Sequence, residues 1–447
     1  MRQAQEILPG SAYPALSQSV TEEALSSIDN DDNMTKMDHL HSETKTADHD
    51  DYPDGGLRAW LIILGTWCCT FSTFGFVNTW GVFQSYYEIH MLKNSSPSQI
   101  AWIGSVQYSL VFLPGLITGR LFDLGYLKVP FFLGTVILVV ATFLTAQCEE
   151  YWHFLLCQGF TVGIACGICF GPTLSVVGHW FKKRRGIAMG VTATGSSLGG
   201  TIFPIAARNL IGIIGFPWTM RIMGFILIFT LGISNIVLAR RLPPKDVPGG
   251  LFNLQAFKLP AFTIYCVANA IAFLGIYTVL TFIDVSAINV GVSPSFSFYL
   301  VSFANASSGV GRLMTGILVD RYGAVNVITP MTIAVAIMTF LWPYAQSKNS
   351  LIAVAIIYGF TSSAYVSAFN IPLYNMGVIE DIGRRMGTIM VFAALGAVAG
   401  PPISGAINAA TGSTKAVSYY AGSTVLLAVV LMLTTRHLIL KKIRGTF

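Results

Sequence analysis

Arg312 stands eight residues before Asp320 in a run that is otherwise small and apolar, and it shares the i, i+3, i+7 spacing of one helix face with Asn305 and Ser308. On a helix these three make a polar stripe, with Arg312 ~12 Å along the axis from Asp320 at ~1.5 Å per residue. A guanidinium there can grip a planar carboxylate through two parallel hydrogen bonds. Asn78 and Asn269 add neutral hydrogen-bonding groups, and Phe76, Trp80, Tyr108, Tyr277 and Tyr365 can line a cavity for a ring-bearing solute. The substrate-binding set expected is Arg312, Asn305, Ser308, Asn78, Asn269 and Tyr277. Catalytic constellations are not expected. His90, His153, His179 and His437 stand singly, and the pair Cys166 and Cys169 has no His or acid beside it. Neither enzyme activity, nor a metal, nor a cofactor is expected, and nucleic acid is not an expected partner.

The elements that must position these residues are membrane spans. Of 447 residues, 53% are hydrophobic and 11% charged, with a mean hydropathy of +0.63. A soluble domain carries ~25% charged residues, so too few are present to cover a water-facing surface. Apolar runs such as 129–146 and 422–433 approach the ~20 residues that cross a bilayer core. Hydropathy and helix breakers place twelve spans at 58–84, 99–119, 128–147, 152–178, 186–207, 218–239, 259–284, 296–319, 325–345, 350–376, 386–409 and 416–436. Residues 1–56 hold twelve of the 21 acids and only Arg2, Lys36 and Lys45 as bases, which reads as a disordered acidic cytosolic tail. The expected plan is an all-α membrane protein of two six-helix bundles, 57–239 and 259–436. A short cytosolic linker, 240–258, joins them, and a basic tail, 437–447, follows.

Loop charges set the orientation. Arg120 and Lys128, then Lys182 to Arg185, Arg240 to Lys258, Arg321, Arg384 and Arg385, and the C-terminal bases fall in alternate loops. Lys and Arg concentrate on the cytoplasmic side, so both termini are expected there, most naturally at the plasma membrane. The halves also repeat. A shift of 200 overlays Arg184-Arg185 on Arg384-Arg385 and Gly200 on Gly400, and a shift of 197 overlays Gly119 and Asp123 on Gly316 and Asp320. Parallel repeats about an axis normal to the membrane, with solute held between them, describe a large class of transporters.

Three motifs carry a resemblance. Gly316-Ile317-Leu318-Val319-Asp320-Arg321-Tyr322-Gly323 resembles the G-x-x-x-D-R-x-G loop of the major facilitator superfamily. Its first-half counterpart, Gly119-Arg120-Leu121-Phe122-Asp123, lacks the Arg after the Asp. Pro53-Asp54-Gly55-Gly56-Leu57-Arg58-Ala59-Trp60 and Trp180-Phe181-Lys182-Lys183-Arg184-Arg185-Gly186 are similar to the two signatures of the monocarboxylate porters, in their fungal form. The likeness covers residues 53 to about 440. It implies a conformational role for Asp54, Gly55, Gly56, Arg120, Asp123, Arg184, Arg185, Gly316, Asp320 and Arg321, and a carboxylate-binding role for Arg312.

Two departures bear on mechanism. Where the family's animal members carry a first-helix Lys and an Asp one turn before the eighth-helix Arg, this sequence has Asn78 and Ser308. Arg208, Arg221 and Asp284 fall at span ends, and no Asp, Glu or His falls in the middle of a span, so no intramembrane proton carrier is visible. The expected function is a secondary transporter of a monocarboxylate or a larger carboxylate or heterocyclic metabolite, working by alternating access, as a monomer or weak oligomer. A nutrient-sensing transceptor of the same fold is the alternative.

Overall fold

The computed structural model describes residues 52–244, 250–442 and 445. The expected acidic tail up to residue 51, the middle of the linker and residues 443, 444, 446 and 447 of the C-terminal tail lie outside the described residues. From Pro53 onward the chain forms one compact unit.

Helices dominate because the long apolar runs have no other way to satisfy their backbone in lipid. α1 spans Gly56–Met91, α2 Ser98–Asp123, α3 Lys128–Thr145 and α4 Tyr151–Trp180. The next element, Arg185–Val237, is 53 residues long but breaks at Gly215 (φ 80°, ψ 166°), just before Pro217. It therefore supplies two spans, α5 (185–214) and α6 (216–237). α7 spans Pro260–Asn289, α8 Pro294–Tyr322, α9 Ala324–Tyr344, α10 Lys348–Asn375, α11 Ile379–Thr411 and α12 Thr414–Leu440. By length and composition ten helical stretches among the described residues, the broken one counted once, can cross a membrane. α8 is the long helix outside that set, and it is the one that carries Ser302, Asn305, Ser307, Ser308 and Arg312. Of the polar groups that lower its hydropathy, Asn305, Ser308 and Arg312 are those the sequence points to as a solute site.

Outward faces are apolar and exposed. On α3, Val129, Phe132, Leu133, Val136, Val140 and Leu144 are all exposed, and on α12 Leu427, Val430 and Leu433 are too. Contiguous apolar surface of this kind on a monomer needs lipid around it. Inside, α1 packs between α5, α6 and α4, while α7 packs on α11 and α12. The two six-helix sets meet along α5 with α8 and α2 with α11. The linker is tied to both. The Arg240 guanidinium donates to the carbonyls of Phe122 (2.8 Å) and Asp123 (3.2 Å), and Asn253 donates to the Asp381 carboxylate.

Candidate substrate cavity and the seams that close it

At the end bearing the basic loops, two mirrored clamps join the halves. Asp320, at the end of α8, accepts the free N–H groups of Gly186 (2.5 Å) and Ile187 (2.9 Å) in the first turn of α5. Asp123, at the end of α2, accepts those of Gly383 (2.8 Å) and Arg384 (2.9 Å) in the first turn of α11. A carboxylate at a helix N-terminus satisfies orphan donors and faces the positive end of the helix dipole. Each clamp depends on glycine. A β-carbon on Gly316 would lie 2.6 Å from the Gly186 carbonyl oxygen, and one on Gly387 would lie 2.6 Å from that of Gly115. Asp54 acts on the same end of α5 from its own half: its Oδ1 accepts from Lys182 (2.7 Å), Lys183 (2.8 Å) and Arg184 (3.2 Å). Asp54 itself sits at φ 46° and Gly56 at φ 82°, so the chain enters α1 through a tight left-handed turn that glycine eases. Tyr374 of α10 completes the closure. Its ring stacks under the Arg185 guanidinium at 3.9 Å, and its hydroxyl donates to the Leu174 carbonyl of α4 (2.7 Å).

Above these clamps a cavity of about 1410 Å³ opens toward the opposite end. Its lower wall holds Phe170, Leu174, Met189 and Arg312, and its rim holds Ile89, Trp102, Ile288 and Ala409. Aromatic rings cross it: Tyr108 meets Tyr277 edge-on at 5.2 Å, and Phe112 meets Phe273 at 5.6 Å, each pair joining α2 to α7.

Arg312 is buried in the floor. One guanidinium nitrogen, Nη1, donates across to α5, to the Ala193 carbonyl and the Ser196 hydroxyl. Its Nε is buried without a hydrogen-bond partner. The stripe above it faces the same way: Ser308 meets Ser197 (2.7 Å), and Asn305 Nδ2 donates to the Gly200 carbonyl (3.1 Å). Gly200 also opens the space for Asn78, since a β-carbon there would lie 2.9 Å from Asn78 Nδ2 and 3.3 Å from Asn305 Nδ2. At the mouth the same pairing of helices persists, with the Arg208 guanidinium of α5 lying 4.6 Å from the Phe298 ring of α8.

This architecture agrees with known proteins. The family model described as Major Facilitator Superfamily matches residues 63–377 and 265–444. An MFS transporter of Aspergillus flavus is 39% identical over 358 residues, covering 79% of this chain and 81% of its own. The chain belongs to the major facilitator superfamily. The aspyridones efflux protein of Emericella nidulans, another relative, is 36% identical over 83% of this chain and 76% of its own. The fujikurins efflux protein of Gibberella fujikuroi is 34% identical over 91% and 88%. Among solved structures, the human organic anion transporter MFSD10 aligns at TM-score 0.65 and 15% identity, over 85% of this chain and 100% of that one. A superfamily transporter in the outward conformation, FucP, aligns at TM-score 0.65 and 13% identity, over 84% and 99%. The all-helical fold and the superfamily expected from the sequence are thus found, and the protein is a multi-pass membrane transporter.

In this major facilitator protein the cavity lining brings together Arg312, Asn305, Ser308, Asn78 and Tyr277 from the expected set, with Trp80 and Tyr108. Asn269 stands apart. It is buried on α7, donating to the Ile389 carbonyl of α11 (3.2 Å) and accepting from the Tyr365 hydroxyl of α10 (2.6 Å), so both it and Tyr365 are spent on packing. Phe76 is in the core of the first half, against Phe83 and Phe203. Of the conformational set, Arg185 is half-buried, its Nε donating to the Phe181 carbonyl (3.0 Å). Arg120 is partly buried on α2, and Arg184 and Arg321 are exposed at the basic end. Lining residues that sequence reasoning passed over include Ser196, Arg208 and Asp284. The last had a readable signal: Tyr277, Thr281, Asp284 and Ile288 fall at i, i+4, i+7 and i+11, one face of α7.

Proposed function

We propose that this transporter exports an acidic, ring-bearing organic metabolite across the plasma membrane by alternating access, with Arg312 gripping the acid. The observation that carries this reading is a buried guanidinium in a floor of neutral groups. One edge of Arg312 is bound to α5, and the Nε on the other edge lacks a partner. A carboxylate or enolate on that free edge would satisfy a donor that is costly to leave unmade. The basic loops mark the cytosolic end, so this conformer is closed to the cytosol and open outward. Both termini then lie inside.

Size argues against a short monocarboxylate as the main cargo. Ordinary ligand pockets hold ~300–1,000 Å³, and about 1410 Å³ with a belt of rings suits a larger conjugated body. The likeness to monocarboxylate porters supplies the acid-binding reading, while the names of the aspyridones and fujikurins efflux proteins supply the direction. Those names speak for transport and lend nothing to a nutrient-sensing role.

Mechanistically, the solute and α5 compete for one guanidinium. When the acid draws Arg312 away from Ala193 and Ser196, the α5–α8 seam loses a cross-link near its middle. Asp320, Asp123 and their glycines then hold the cytosolic closure alone, and Asp54 keeps the start of α5 in shape. The test is transport in proteoliposomes of an aromatic carboxylic acid and its methyl ester. The acid is carried and the ester is not. Arg312→Ala lowers acid transport by at least about tenfold at equal reconstitution, the worth of one charge-assisted hydrogen bond. Wild-type rates in Arg312→Ala would refute the anchor.

A further inference from the structure

We propose that Asp284 is a second solute contact, taking a hydrogen-bond donor that the solute carries at the end remote from its acid. The inference rests on the reading of Arg312 as the acid anchor and adds what the far end of the solute must be.

Asp284 lies on the face of α7 that lines the cavity, two turns beyond Tyr277. Its Oδ1 is buried and makes no hydrogen bond within the protein. An ionised carboxylate is an acceptor only, and a buried acceptor without a donor forfeits a charge-assisted bond. The cations of the lining are committed elsewhere. Arg208 lies over the rings of Phe298 (4.6 Å) and Tyr299 (5.9 Å), Arg312 is bound in the floor, and His90 packs in tilted contact with the Tyr86 ring at 4.8 Å. Asp284 thus presents an unspent acceptor to whatever fills the mouth.

The spacing follows from the helix. Tyr277 and Arg312 line the same cavity, within electrostatic reach of each other. Seven residues at ~1.5 Å each put Asp284 about 10 Å nearer the mouth than Tyr277. The crossed rings of Tyr108 with Tyr277 and of Phe112 with Phe273 stand on the floor side of Asp284. The cavity is therefore a dipolar slot, with a cation at the floor, aromatic edges at the waist and an acceptor at the mouth. The solute class that fits has an acid at one end, a flat conjugated body, and a phenol, amide N–H or ammonium at the other. A simple aromatic monoacid fills only two of the three sites.

The experiment uses the full chain in nanodiscs and isothermal titration with three rod-shaped acids. These are biphenyl carboxylic acid and its far-end para-hydroxy and para-aminomethyl derivatives. The wild type binds at least one derivative about tenfold more tightly than the parent acid, the value of one charge-assisted hydrogen bond. Asp284→Ala brings that ratio to within about twofold while affinity for the parent acid holds. Arg312→Ala weakens all three acids. A wild type without preference, or a preference that survives in Asp284→Ala while Arg312→Ala still weakens every acid, overturns this inference alone. Arg312→Ala with unchanged affinities overturns the anchor and this inference with it. A shared gain for both derivatives assigns a hydrogen-bond donor. A gain confined to the aminomethyl acid assigns a cation.

Discussion

Replacing Asp123 with alanine should unlatch the basic end far more than replacing Asp320, although the two residues occupy equivalent places in the repeat. Asp123 is 1% exposed, and its two acceptor contacts run to Gly383 at 2.8 Å and Arg384 at 2.9 Å. Truncation leaves two buried N–H groups of α11 orphaned, at ~1–3 kcal/mol each. In the opened conformer those amides reach water and lose nothing. A net bias of about 3 kcal/mol, or about 150-fold in the conformational ratio, follows. Asp320 makes the same two contacts but is exposed. Water can replace its carboxylate, and screening leaves about 1 kcal/mol, or about fivefold. Spin labels at the exposed positions Tyr126 and Val378 report the basic end, and labels at Ile89 and Ile288 report the mouth. Cys157, the partly exposed cysteine, is replaced by serine, the other six being buried. Asp123→Ala should lengthen the Tyr126–Val378 distance and shorten the mouth distance in most molecules, with only a minor shoulder in Asp320→Ala. Unchanged distances in Asp123→Ala, or a larger shift in Asp320→Ala, would show that the caps do not hold the closure.

Gly200→Ala places a methyl 2.9 Å from Asn78 Nδ2 and 3.3 Å from Asn305 Nδ2, which must push both amides off α5. Transport should fall by roughly fivefold, an overpacking cost of about 1 kcal/mol, with normal yield, and a second change of Asn78→Ser should recover part of it; wild-type rates in Gly200→Ala would refute the convergence. Transport should also be indifferent to a pH gradient imposed on proteoliposomes, because Arg312 is surrounded by Asn78, Asn305 and Ser308 and not by a carboxylate or histidine. Among described residues the lining acid and histidine are Asp284 and His90, both near the mouth, so an acid-driven overshoot that Asp284→Asn abolishes would place a proton there and overturn the prediction.

The helices, the repeat and the floor cation were legible because each is written in a local pattern. Apolar length sets the spans, and the spacing 305, 308, 312 sets the stripe. Other features depend on pairs that no local pattern contains. Asn269 has the same composition signal as Asn305, yet its amide is consumed by Tyr365, 96 residues away. Asp54 is readable as a cap, but the three amides it accepts belong to residues 182–184 and not to the helix it precedes. Asp284 fell at the border of a predicted span ending at 284, whereas α7 continues to Asn289 and carries it inside the cavity wall. A boundary error of five residues there hid a cavity acid.

The repeat also gives a reason for the proposed solute site to lie on one seam and not on the axis. At offset 197 the equivalents of Asn305, Ser308 and Arg312 are Tyr108, Val111 and Gly115. At offset 200 the equivalents of Ser196, Ser197 and Gly200 are Gly396, Ala397 and Gly400. Both seams keep the acid cap and the glycine crossing, because closure of the basic end needs both. Above the caps they diverge. The α5–α8 seam is tied by Arg312 to Ser196 and by Ser308 to Ser197, contacts a solute can compete for. The α2–α11 seam brings Gly115 against Gly387 and the Met390 sulfur, apolar contacts with nothing for a polar solute to displace. Occupancy can therefore loosen one seam directly, while the other follows through rigid packing of each half. If the polar seam is where solute acts, changes at Ser196 or Ser197 must alter solute affinity, and apolar changes at Met390 must alter the conformational balance without altering affinity for a given conformer. That division of labour between duplicated surfaces is what turns a symmetric clamp into a transporter with one site.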